Sequence, residues 1–121
     1  MASGTIKLPS KHCSIIREQK YHTFSAANTY EDIGIKITIP AKSRYSFIAL
    51  HNYENTVPTG ICWLFGDVSS YSEWRIASES KGCMASLSGY APATLTFTLF
   101  GKTNSTNTGN SFIVDGWYEK V

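Results

Sequence analysis

Four isoleucines at alternate positions, Ile33, Ile35, Ile37 and Ile39, with Gly34, Lys36 and Thr38 between them, constrain this chain more than any other feature. A period of two places all four on one face of an extended strand; on a helix they would scatter around the axis. Pro40 ends the run, because proline has no N–H to give to a ladder. The same texture recurs along the chain. Residues 45–50 and 60–65 are apolar on both faces and read as central strands. Residues 94–100 alternate Thr outward with Leu95, Phe97 and Leu99 inward, as a sheet with one solvated face requires, and residues 112–118 close the chain as another strand. Residues 21–27, 73–77 and 83–87 are weaker strands, and turn signals fall at 52–60 with Pro58, 66–70, 88–92 and 104–110. The expectation is an all-β chain, an antiparallel β-sandwich or jelly roll of about eight strands.

The 121 residues suit one domain. Residues 1–20 read as a lead-in segment, with at most one turn of helix over 14–20, and residues 21–121 as the β-sandwich head. The opening ten residues contain no apolar stretch of the signal-peptide kind, and no run approaches the ~20 apolar residues of a membrane span. Cys13, Cys62 and Cys83 are odd in number and widely spaced, so they read as reduced thiols rather than a disulfide framework or zinc site. That points to synthesis in a reducing cytoplasm.

Lys and Arg total 11 against 9 Asp and Glu, a net charge of +2, which argues against a nucleic-acid binder. Charged residues are only 17%, below the ~25% of ordinary domains. Ser, Thr, Asn and Tyr fill the gap, a composition suited to uncharged contact. Chemistry leaves few traces. His12, His22 and His51 are scattered, the carboxylates are dispersed, and no nucleophile elbow or phosphate-binding glycine loop is present. Two of the dispersed acids, for instance Asp67 with Glu73, could meet as a glycosidase couple, but solvated loop acids are much the stronger reading. Cys62, set between Ile61 and Trp63, reads as a buried inert thiol. No catalytic residue, metal site or cofactor is expected.

Binding leaves more. Asn52 and Tyr53 in one connection, and Asp67, Tyr71, Trp74 and Arg75 in and after the next, combine aromatic faces with groups that hydrogen-bond sugar hydroxyls. Trp74 reads slightly more readily as core than as a ligand contact. Trp63 and Trp117, both in apolar strands, are expected inside. Ile48 and Leu50, or Phe100 and Trp117, would leave apolar surface over once the isoleucines cover the core, and such a surplus marks either a subunit interface or a second buried face.

Residues 24–30, Phe-Ser-Ala-Ala-Asn-Thr-Tyr, lead into Ile35-Lys36-Ile37-Thr38-Ile39-Pro40-Ala41-Lys42-Ser43-Arg44-Tyr45, followed by a turn with Pro58 and Gly60, a Thr-rich strand, an Asn-rich hairpin and a final 112–118 strand. Over residues 21–121 this order resembles the C-terminal head domains of bacteriophage and prophage tail-fibre or baseplate proteins. The resemblance implies a virion protein that is a non-enzymatic, homotrimeric receptor-binding head for a bacterial cell-surface glycan, without membrane insertion. Its alternatives are a structural module that trimerises or caps a fibre, and a carbohydrate-binding module of a carbohydrate-active enzyme. The resemblance transfers no individual binding residue.

Overall fold

A computed structural model describes residues 13–51, 60–65, 74–78, 84–106 and 108–121. Eight strands run in chain order: β1 (Cys13–Phe24), β2 (Glu31–Ile39), β3 (Ser43–His51), β4 (Gly60–Phe65), β5 (Trp74–Ser78), β6 (Met84–Ala91), β7 (Leu95–Lys102) and β8 (Thr108–Lys120). They form two antiparallel sheets, ordered β1-β8-β3-β6 and β2-β7-β4-β5. Chain neighbours β1 and β2, β3 and β4, β5 and β6, and β7 and β8 each fall in different sheets, which is the winding of a jelly roll.

The isoleucine alternation holds: Ile33, Ile35, Ile37 and Ile39 are all buried. They meet Phe24, Phe47, Phe112 and Val114 of the first sheet and Ile61, Trp63, Phe97 and Leu99 of their own. Rings from both sheets interlock, with Phe47 edge-on to Trp63 at 5.1 Å and to Phe97 at 5.4 Å between centroids. Trp63 also donates its indole N–H to the Ala85 carbonyl at 3.3 Å, a hydrogen bond that ties β4 to β6 across the sandwich. The alternation conceals one irregularity. Between Asp32 and Lys36 the pairing with β7 slips, and Gly34 at the slip has φ +91° while its N–H donates to the Asp32 carboxylate at 2.8 Å. Only glycine takes that conformation cheaply, so Gly34 is the residue that lets β2 bulge and keep its isoleucines inward.

Four expectations are corrected. Residues 13–20 are no lead-in and no helix: β1 pairs with β8 along its whole length, from Cys13 opposite Glu119 to Phe24 opposite Thr108. As the edge of its sheet, β1 turns Glu18 and Lys20 toward the sandwich rim, where they stay exposed, so the strand lacks the apolar face by which strands are read. The expected turn at 88–92 is mostly strand, since β6 continues to Ala91. Thr98, expected on a solvated face, is 3% exposed, and Cys62, Leu64 and Phe100 on the same outer face are buried as well. Trp117, expected in the core, is exposed: it shares the outer face with Ile15, its partner across the ladder.

Candidate functional site

Both connections that carry the sequence-derived candidates are mounted on one strand. Segment 52–59 enters β4 at Gly60 and segment 66–73 leaves it after Phe65. From Gly60 to Leu64 every residue of β4 is buried, because the strand lies inside its sheet between β7 and β5. Asn52, Tyr53, Asp67 and Tyr71 lie outside the described residues, as does Glu73. Trp74 and Arg75 open β5, with Trp74 across the ladder from Leu64. The strand ends that flank the two connections do not adjoin. His51 and Gly60 stand at the end of the sandwich that also holds the β1–β2 and β7–β8 turns, and Phe65 and Trp74 stand at the other. Six residues of strand separate these ends, about 17 Å at ~3.4 Å per residue.

At the β1–β2 turn a histidine and a carboxylate meet among several hydrogen-bond donors. The Glu31 carboxylate accepts the backbone N–H of Ala26 at 2.9 Å and of Ser25 at 3.0 Å, and the Ser25 hydroxyl at 3.1 Å. His22 Nε2 lies 2.9 Å from its other oxygen. Burial pushes the Glu31 carboxyl up, but the bonds from Ala26, His22 and Ser25 outweigh it and hold the group below its ordinary value. Serine, histidine and carboxylate are all present, yet their order is unsuited to nucleophilic catalysis. The hydroxyl donates to the carboxylate, whereas an activated serine gives its proton to the imidazole. The carboxylate is a clamp for the turn, joined by Asn28, whose N–H reaches the Thr103 carbonyl at 2.6 Å. At the same end His51, 6% exposed, is held below its ordinary pKa by burial.

No group of three or more His, Cys, Asp or Glu among the described residues could hold a metal ion. Cys13 and Cys62 are not in disulfides, and Cys62 is fully buried, as its apolar neighbours predict, with its Sγ donating to the Trp63 carbonyl at 3.6 Å. No helix among the described residues is long and apolar enough to cross a membrane.

A surface that the sequence reading touched only in part is the outer face of the first sheet. Among the described residues six large apolar side chains are exposed: Ile15, Tyr21, Met84, Tyr90, Trp117 and the C-terminal Val121. The first five project from this one face. Ladder register sets them in rows: Ile15 beside Trp117, then Arg17 beside Asp115 and Ile48, then Gln19 beside Ile113, Leu50 and Met84. Tyr90 faces Arg44 at one margin and Tyr21 faces Ser111 at the other. The signal was in the parity: once Phe112 and Val114 point inward, Ile113 and Trp117 must point outward.

Comparison with protein-family models, with curated proteins and with solved structures found no match. The fold class, an all-β antiparallel sandwich, rests on the strands themselves.

Proposed function

We propose that this chain is a non-enzymatic receptor-binding head of the phage tail-fibre type, recognising a bacterial surface glycan as part of a homotrimer in the virion. The observation that carries this reading is the mounting of the candidate connections on β4, buried from Gly60 to Leu64. Binding residues concentrate on loops held by a rigid scaffold, and β4 supplies that scaffold to both segments at once. The residue types suit the ligand: Asn52 and Tyr53 before β4, and Asp67, Tyr71, Trp74 and Arg75 after it, offer ring faces for sugars and directed polar groups for hydroxyls. Because the flanking strand ends lie at opposite ends of the sandwich, one sugar-binding site engages one set and not both.

Glycan arrays and whole-cell adsorption with the assembled protein test this. Binding is expected, lost at least tenfold in either Tyr53→Ala or Trp74→Ala and retained in the other. Empty arrays together with absent adsorption overturn it. A second reading, a module that assembles or caps a fibre without touching the host, is favoured by the apolar outer face of the first sheet. It prevails if both variants adsorb as the parent does.

A further inference from the structure

The outer face of the β1-β8-β3-β6 sheet is built for contact, and we infer that its occupant is a second copy of this chain. The inference rests on the proposed assembly and adds where the copies meet. Three observations lead to it. First, among the described residues the exposed large apolar side chains gather on one face, apart from the C-terminal Val121. Ile15, Met84 and Trp117 stand with the half-buried Ile48, Leu50 and Ile113 in adjoining rows of one face. The outward positions of β2 in the other sheet, Asp32, Lys36 and Thr38, are polar and exposed. On the first sheet's face the apolar side chains alternate with Ser46, Ser86, Ser88, Gln19 and the Arg17–Asp115 pair, the mixed apolar and polar character of a contact surface.

Second, the charges on the face cancel. Arg17 pairs with Asp115 at 3.4 Å and Arg44 with Glu119 at 3.3 Å, so two cations meet two anions and each pair closes within the chain. Such a face does not repel its own copy and offers no net field to attract a charged partner. Branched Ile15, Ile48 and Ile113 and the flexible Met84 can interdigitate with their like.

Third, the size fits. Four strands about 4.8 Å apart, with same-face rows about 6.8 Å apart from Cys13 to Tyr21, give roughly 500 Å² in plan before side-chain relief. Accessible area exceeds plan area, which brings the face toward the ~800 Å² per partner of a standard interface.

Light scattering and sedimentation across a concentration series test the inference, with Ile15→Ser plus Trp117→Ser on the face and Thr38→Asp on the opposite sheet as control. The parent and Thr38→Asp are expected to form one defined oligomer. The double variant is expected to associate at least tenfold more weakly while keeping the parent's circular dichroism and melting when monomeric. Since both side chains project from the outer face, folding without association is the readable outcome; a milder Trp117→Gln, expected to weaken association in part, covers the case in which the double variant misfolds. A parent that stays monomeric at high concentration overturns the inference, and so does an oligomer that ignores both face variants. Glycan binding is scored separately: a monomeric double variant that still binds glycan, weakly and singly, upholds both the interface and the receptor-binding reading, and an oligomer without glycan binding upholds the interface alone.

Discussion

The outer faces of the two sheets invert what their sequences suggest. On the β2-β7-β4-β5 sheet, Thr98, Cys62, Leu64 and Phe100 point away from the sandwich core and are nonetheless buried. On the β1-β8-β3-β6 sheet, Trp117, Ile15 and Met84 point away from it and are exposed. Hydroxyl-bearing Thr98 lies inside and indole-bearing Trp117 outside, so side-chain polarity does not sort the two faces. Parity within each strand settles which way a residue points, and what lies over that face then settles whether it meets water. A face that is apolar, exposed and electrically neutral is the one still able to gain from being covered.

Trp63 and Trp117 put the contrast in one residue type. Trp63 is fully buried between Phe47 and the Ala85 carbonyl. Trp63→Ala removes a large core ring and its hydrogen bond, and a loss of roughly 4 kcal/mol is expected in denaturant unfolding. Trp117→Ala is expected to cost the monomer under about 1 kcal/mol, with its larger effect on association. Equal losses of folding stability would erase the distinction between the faces.

Two glycines of β8 sharpen it next. A Cβ on Gly116 would stand 2.2 Å from the Ser46 carbonyl oxygen and 2.5 Å from the Phe47 Cα, backbone that cannot step aside. A Cβ on Gly109 would meet the Tyr21 hydroxyl at 2.5 Å, and Tyr21 is an exposed side chain free to swing outward. Gly116→Ala is therefore expected to cost about 3 kcal/mol and Gly109→Ala under about 1 kcal/mol, read from thermal or denaturant midpoints.

How far all this could be read in advance depended on burial. The strands that fill the core announced themselves, since Ile33 to Ile39 and the doubly apolar β4 have no other comfortable conformation. β1 did not, because an edge strand with Arg17, Glu18, Gln19 and Lys20 in succession has water on both sides and so no alternation to read. The bulge at Gly34 left the isoleucine parity intact and was invisible for that reason. Trp117 has apolar neighbours in sequence, but its parity with Val114 turns it outward. Of the candidate residues only Trp74 and Arg75 fall in a described strand. Segments without a period offer only composition, which is what singles out Asn52, Tyr53, Asp67 and Tyr71; the described strand ends add that the two connections leave β4 from its opposite ends.

The clamp at the β1–β2 turn gives a pH signature that neither sheet face would. Glu31→Gln cannot accept all the donors that Ala26, Ser25 and His22 present, and roughly 2 kcal/mol is expected to be lost at neutral pH. The carboxyl is lowered in the folded state, so its contribution is complete above the unfolded value of about 4.5 and disappears as pH falls through the folded one. His51 is lowered too, and the sign there is again acid-destabilising: the unfolded chain takes up a proton near 6.5 that the folded chain refuses. Melting temperature is expected to fall first below about pH 6.5 and again below about 4.5. The first step vanishes in His51→Gln and the second in Glu31→Gln; a flat profile from pH 7 to 5 in the parent removes the role given to His51.

The smallest effect falls back on the exposed face. Arg17 and Asp115 meet at 3.4 Å with side chains 74% and 49% exposed. A pair so well hydrated and so readily screened contributes ~0.5 kcal/mol or less to folding, and Arg17→Ala is expected to leave the monomer's unfolding midpoint almost unchanged at moderate salt. Covered by a second copy, the same pair loses its water. Removing Arg17 would then strand the Asp115 carboxylate in an apolar contact, and a lone buried charge costs far more than a solvated pair gains. Arg17→Ala is thus expected to act on association and not on folding, and Asp115→Asn made together with it is expected to restore part of the lost affinity by removing the stranded charge. An Arg17→Ala variant that unfolds earlier as a monomer but associates normally would place the pair's work within the sheet and leave its outer face in water.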